Sequence, residues 1–239
     1  MAAAKSRPRQ SKTEKAADRA PSESRADLAY SALKQRVIEN AFPVGAFFLE
    51  QELADLLGMS RTPIREALVR LAHEGFVEIR PRHGMRVLPI SSKDMRDIYA
   101  ILTALEAEVA AELAERGLSG SELMALRGAV DQMEQALKRD DLVAWAAADA
   151  RFHRDLVAAS QNDRIRATIT QYWEQSQRVR MSTLRLRAKP VRSTREHHAL
   201  VDAIAARKPN RARKLHREHR AKAADMLAAI LDRYGLSQL

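Results

Sequence analysis

Residues 60–71, Ser60-Arg61-Thr62-Pro63-Ile64-Arg65-Glu66-Ala67-Leu68-Val69-Arg70-Leu71, constrain this chain more tightly than any other stretch. Ser60 or Thr62 can accept the free backbone N–H groups of a starting helix, and Pro63 falls in the first turn, where its missing donor costs nothing. Ile64, Leu68 and Leu71 recur at i, i+4, i+7 and give the helix one apolar face. Arg61 and Arg65, one turn apart, share another face at the N-terminal end. A helix seated by one side, with two cations at its start, has the form of a recognition helix, whose N-terminal residues enter the DNA major groove.

The flanking residues complete a winged helix-turn-helix over 26–90. Glu52-Leu53-Ala54-Asp55-Leu56-Leu57-Gly58 predicts a short preceding helix, with Leu53, Leu56 and Leu57 inward and Gly58 as its left-handed C-terminal residue. Leu28 to Glu39 predicts an amphipathic helix through Leu33, Val37 and Ile38, closed by Asn40 and then Pro43 and Gly45. After Gly75, Phe76-Val77-Glu78-Ile79 and Arg86-Val87-Leu88 read as strands around the basic loop Arg80-Pro81-Arg82-His83-Gly84-Met85, a hairpin wing.

From residue 91 the periodicity is helical throughout. Helices are predicted over 92–116, 120–139, 141–159 with Asp140 as cap, 163–185, 191–207 and 210–233, with Gly117 and Gly235 as stops. The fold class is therefore mainly α: the winged head plus an all-α six-helix bundle over 91–239, whose interior can hold a ligand. Ile98, Ile101, Leu102 and Leu105, and then Leu123, Leu126, Val130, Met133 and Leu137, read as core or interface.

Charge is distributed unevenly. Residues 26–90 hold eight Lys/Arg and eight Asp/Glu, so attraction to phosphate must be local to the recognition helix and wing. Residues 178–222 hold fifteen Lys/Arg and three Asp/Glu, which suits a second DNA-facing surface, an anion pocket or a solvated basic face. The first 25 residues hold seven Lys/Arg against three Asp/Glu and no apolar run, and read as a disordered basic arm. The absence of cysteine excludes disulfides and thiolate metal sites. No apolar stretch reaches membrane-spanning length, so a cytoplasmic location is expected.

Within the bundle, Asp149 and His153 lie at i, i+4 on one helix face, with His197 and His219 on later helices. Imidazoles and a carboxylate suit Zn, Ni, Mn or Fe(II).

Glu52-Leu53-Ala54, Gly58, the run Ser60 to Leu68, Leu71, Glu74-Gly75 and Gly84 together resemble the DNA-binding domain of the GntR family of bacterial transcription regulators. The resemblance implies that Ser60, Arg61, Thr62, Pro63 and Arg65 face bases and phosphates and that His83 and Gly84 put the wing tip in the minor groove. Val44-Gly45 stands where the family usually has Pro-Gly, and Gln51 where FadR-like members carry a DNA-contacting Arg, which leaves Gln51 a minor candidate. Asp149-Ala150-Arg151-Phe152-His153, Glu196-His197-His198 and the run Ala212 to His219 resemble the FCD effector domain of the FadR subfamily. That likeness implies one divalent transition metal on Asp149, His153, His197 and His219, with His198 and His216 as non-ligating neighbours. Many FCD domains carry an arginine on the first bundle helix; Leu102 stands there, and the replacements lie in Arg178, Arg180, Arg185 and Arg187, whose i, i+2 spacings keep all four from facing one pocket, with Arg178 or Arg185 expected to meet an acidic effector.

The sequence thus predicts a metal-containing repressor that binds a palindromic operator as a homodimer and responds to a small organic acid. A metal-dependent hydrolase and a nucleoid protein using the basic arm and residues 178–222 are the alternatives; Arg61, Arg65 and the wing weigh against the first, and operator selectivity against sequence-independent binding decides the second.

Overall fold

A computed structural model describes residues 24–234. Most of the expected basic arm and the stop at Gly235 lie outside these residues. Ser24 and Arg25, which the sequence reading placed in the arm, belong to a helix start. Ser24 accepts from the Asp27 N–H (3.1 Å) and Asp27 returns a bond to Ser24, a capping box that begins α1 (Arg25–Ile38). Then follow β1 (Phe47–Phe48), α2 (Glu50–Leu57), α3 (Arg61–His73), β2 (Val77–Arg80) and β3 (Gly84–Val87). Leu33 and Val37 of α1, Leu53 and Ala54 of α2, and Ile64, Leu68 and Leu71 of α3 close over Phe76, Met85 and Val87 as one core.

Gly58 takes the left-handed conformation (φ 61°) that lets α2 turn into α3 within three residues. Leu56, expected inward, is 52% exposed. The eight-residue α2 presents only the narrow strip of Leu53, Ala54 and half-buried Leu57 to the core, and Leu56 falls beyond its rim. The wing has three strands, with β3 central and β1 and β2 antiparallel on either side. β1 was not anticipated, since two residues are too few to carry an alternation. Strand β3 ends at Val87, one residue before the predicted Leu88.

The bundle comprises α4 (Ser92–Arg116), α5 (Gly120–Lys138), α6 (Leu142–Ala158), α7 (Asp163–Ser182), α8 (Val191–Ala205) and α9 (Pro209–Tyr234). Capping boxes from Ser91 with Asp94 and Ser119 with Glu122 fix the starts of α4 and α5. The cap of α6 is Asp141, whose side chain accepts from the Ala144 N–H (2.9 Å); Asp140, the residue expected there, sits in the left-handed turn before it (φ 58°). Helix α7 stops at Ser182, short of the expected 185, and a 3₁₀ turn over Leu184–Leu186 follows. The long helices α4 and α9 pack along each other, α5 lies on α6, and α8 touches both α5 and α9. Leu102, Val109, Leu113, Leu126, Met133 and Phe152 are among the fully enclosed side chains of this second core.

Head and bundle meet along α1 and α7. Lys34 of α1, almost wholly buried, contacts Glu74 of the head (2.9 Å) and Glu174 of α7, while Tyr30 donates to Glu74 (2.6 Å). Gln175 donates to the Glu74 carbonyl, Asn40 to Ser182 Oγ (2.9 Å), and Arg178 to the carbonyl of Leu88 (2.7 Å). Partners on both sides hold the Lys34 ammonium charged far above its usual range despite its burial.

Candidate functional site

Helix α3 presents Arg61 and Arg65 outward, their side chains 58% and 63% exposed. Ser60 occupies the N-cap position, but its hydroxyl makes no capping hydrogen bond, contrary to expectation, and it stands exposed beside free backbone N–H groups. Thr62 is exposed too, whereas Pro63 is buried and seats the helix instead of facing outward. Gln51 is exposed and donates to Asp55 (2.8 Å). His83 is exposed at the wing tip, 6.1 Å from the Phe47 ring. Gly84 has φ 76°, and a Cβ there would lie 2.1 Å from the Phe48 carbonyl oxygen, so only glycine lets β1 join the wing. The exposed set of Ser60, Arg61, Thr62, Arg65 and His83 lies on α3 and the wing tip, and Glu50 of α2 holds both arginines.

In the bundle, Asp149 and His153 of α6, His197 of α8 and His219 of α9 come together, each at most 8% exposed. His153 Nε2 and His197 Nε2 face each other at 3.3 Å, and Asp149 Oδ1 lies 3.9 and 3.5 Å from them. The Nδ1 atoms of His197 and His219 are committed elsewhere. His197 Nδ1 donates to the Ser193 carbonyl (2.8 Å), His219 Nδ1 to Glu196 (2.9 Å), and His153 Nδ1 points to Glu106 Oε2 at 3.3 Å. The bonds of His197 and His219 set their protons on Nδ1 and leave their Nε2 lone pairs free, while His153 Nδ1 makes no hydrogen bond among the described residues that fixes its tautomer. Burial pushes His153 down to about 3 and His197 well below its usual range, so both rings are neutral at pH 7. Asp149 stays ionised despite burial because Arg180 and the imidazoles lower its pKa. At 3.3 Å the two Nε2 atoms either share the His153 proton as an N–H···N bond or, with His153 protonated on Nδ1, turn two lone pairs toward one point, and a neutral-imidazole and carboxylate set is what a divalent transition ion binds.

A second layer supports this set. Glu106 of α4, fully buried, accepts from Arg220 Nε (2.9 Å) and His216 Nε2 (2.9 Å), both also enclosed. Burial alone would raise its pKa, but Arg220 and the histidines hold it well below the usual carboxylate range. Glu106, His153 and His216 also lie close enough for a metal. However, Arg220 and His216 occupy the Glu106 oxygens and His153 offers only its Nδ1, so this trio fits a buttress better than an ion site. His198 pairs with Glu134 at the surface (2.8 Å).

A cavity of about 330 Å³ opens beside Asp149 and His219, with Trp145, Leu184, Arg180 and Arg187 in its walls. Arg178 and Arg185, the expected acid-binding residues, lie elsewhere: Arg178 is buried against Leu88 and Arg185 is exposed. Alternate residues of α7 point to different sides, and Arg180 rather than Arg178 falls on the cavity side, where it meets Asp149 and Tyr99 (3.1 Å). Arg187 donates to Thr183 Oγ1 (2.9 Å). The basic run 178–222 is consequently no single surface, since Arg178, Arg180 and Arg220 are interior. Arg180 and Arg187 stood among the sequence candidates but were passed over, and the roles of Glu106, Glu196 and Arg220 escaped the sequence reading; only Glu196 carried a signal, its place beside His197.

Residues 25–87 match the bacterial regulatory proteins of the gntR family, and residues 97–222 match the FCD domain. The chain belongs to the GntR family. This GntR protein is 41% identical over 150 residues to an uncharacterized HTH-type transcriptional regulator of Agrobacterium vitis, covering 62% of the chain and 88% of that relative. It is 31% identical over 176 residues to a "Probable D-xylose utilization operon transcriptional repressor" of Paenarthrobacter nicotinovorans, with 72% and 75% covered. E. coli McbR/YncC shares the fold, with a TM-score of 0.74 at 23% identity over 86% of this chain and 98% of that one. The GntR protein is thus a DNA-binding transcription regulator and not an enzyme. None of the helices among its described residues is long and apolar enough to cross a membrane.

Proposed function

We propose that this regulator is a metal-containing repressor of the cytoplasm that binds a palindromic operator as a homodimer through two winged heads and responds to a small organic acid. Residues 26–90 read DNA, and residues 91–239 bind the effector and dimerise. The observation that carries the reading is the convergence of the His153 and His197 Nε2 atoms, with Asp149 and His219, on the edge of a cavity. Asp149, His153, His197 and His219 would hold the ion. A divalent ion there would supply Lewis acidity toward a carboxylate oxygen. Arg180 and Arg187 add positive charge beside the cavity, and Trp145 and Leu184 exclude water from the body of the ligand.

Control of DNA follows from differential affinity. An acid can shift the head only by binding one arrangement of bundle and heads more tightly than the other, thereby changing the spacing of the two recognition helices against their half-sites. The test is elemental analysis of the purified protein together with a thermal-shift screen of small carboxylic acids and phosphates. One divalent ion per chain and stabilisation by at least one carboxylic acid are expected; protein free of metal as purified that takes up no Zn, Ni or Mn on titration would overturn the metal-dependent reading.

A further inference from the structure

The recognition-helix arginines do not stand alone. Glu50, the first residue of α2, accepts from Arg65 Nε (3.1 Å), Arg65 Nη2 (2.8 Å) and Arg61 Nη2 (3.1 Å). The asymmetry in exposure is informative: the Glu50 side chain is 19% exposed, while its two partners are 58% and 63% exposed. The carboxylate is therefore part of the floor, and the guanidinium groups are laid over it. An ordinary surface pair is open on both sides and exchanges freely with water. Arg65 draws the Glu50 carboxyl below its usual range, so the anion is present at every pH at which the head is used.

The bond pattern has a stereochemical consequence. A guanidinium has five N–H donors and two paired edges. Arg65 spends its Nε and Nη2 edge on Glu50, which leaves the end-on edge, Nη1 with the second hydrogen of Nη2, facing outward. That edge has the spacing needed for the O6 and N7 acceptors of guanine. Pinning a flexible arginine in advance lowers the entropy lost on pairing with the right base. The same carboxylate offsets one of the two positive charges, in a head with eight Lys/Arg and eight Asp/Glu over 26–90, so a bare phosphate gains less from the pair than a base with two acceptors does.

We infer that Glu50 is a positioning residue for sequence readout: it aims the free edge of Arg65 at a guanine and suppresses indiscriminate binding to the phosphate backbone. The inference rests on the reading that α3 enters the major groove.

The experiment is selection of a randomised duplex DNA library by the full-length parent, Glu50→Gln and Arg65→Ala, followed by sequencing, with affinity for mixed-sequence duplex measured across a salt series. Glu50→Gln keeps the shape and frees the arginines. It is expected to bind mixed-sequence DNA severalfold more tightly at low salt, to steepen the salt dependence by about one unit of slope per head, and to lower the preference at one base of each half-site about tenfold. Glu50→Asp, which keeps the charge, should retain weak mixed-sequence binding, a rescue that a purely structural role for the residue would not give. If Arg65→Ala flattens the selected motif while Glu50→Gln leaves both motif and salt slope as in the parent, the role of Glu50 is refuted and the groove reading stands. If Arg65→Ala also leaves the motif unchanged, the groove reading fails and the inference fails with it.

Discussion

Replacing Glu106 by Gln should be the most damaging isosteric change in the bundle. Glu106 and Arg220 are both fully enclosed, and Arg220 contacts Glu106 through Nε (2.9 Å) and Nη2, while its Nη1 has no hydrogen-bond partner among the described residues. A neutral amide at position 106 leaves a buried guanidinium without its counter-charge. Breaking one side of such a pair costs about 3–5 kcal/mol, and loss of the His216 bond adds about 1 kcal/mol more. For a protein of this size, each 1 kcal/mol lowers the melting temperature by about 2–4 °C, so a drop of about 10 °C or more is expected in calorimetry on chelator-treated protein. The pH dependence supplies the sign. Because the folded-state pKa of Glu106 is depressed below its ordinary 4.5, its stabilisation is complete above that value and is lost as pH falls beneath it. The variant should therefore lose less stability than the parent on acidification below about pH 4.5. Removing both partners, Glu106→Leu with Arg220→Met, should recover most of the loss. A Gln variant within about 1 kcal/mol of the parent would refute the view that this pair is buried and mutually dependent.

Other outcomes follow from the same geometry. His153→Ala and His197→Ala should abolish the bound ion and lower the melting temperature by about 5–10 °C at a hundredfold excess of metal over its dissociation constant. His198→Ala and His216→Ala should keep metal content near that of the parent by elemental analysis; the reverse pattern would overturn the ligand assignment. Gly84→Ala should cost about 1–3 kcal/mol or more and loosen β1 from the wing, visible as faster hydrogen exchange at residues 46–48 and weaker DNA binding. Lys34→Met should uncouple head from bundle at a cost of about 2 kcal/mol, less than for a fully enclosed pair because Glu174 is 35% exposed. Separate head and bundle transitions in calorimetry would show it, and a single parent-like transition would count against the contact.

Local rules made much of this molecule readable. Capping residues, the left-handed glycines at 58 and 117 and the i, i+4, i+7 pattern of Ile64, Leu68 and Leu71 each act within a turn or two of chain, so helix order and most boundaries could be read directly. The misplacements have local causes as well: Asp140 and Asp141 are equally good caps on paper, and only the left-handed turn at Asp140 decides between them. What could not be read are the pairings between distant residues. Arg180 with Asp149, Arg220 with Glu106 and Glu50 with Arg65 join residues of different helices, and no periodicity announces them. The choice of Arg178 over Arg180 went astray for that reason, since a two-residue shift on a helix turns a side chain to another side.

Helix α7 carries a consequence of its own. Glu174 and Arg178 bind the head and its tether at Leu88, and Arg180 binds Asp149 at the cavity, all within seven residues of one helix. At about 1.5 Å rise per residue, that places the two chemistries roughly 9 Å apart along a rod with no joint between them. A segment so short bends little, so whatever tilts one end displaces the other. Thermodynamic linkage then runs both ways: if filling the cavity weakens the grip on an operator by some factor, seating the heads on that operator must weaken the cavity's hold on its occupant by the same factor. On the proposed function, the operator would then be a ligand that competes at a distance, and the acid concentration needed to respond would depend on how many operator sites the protein already occupied.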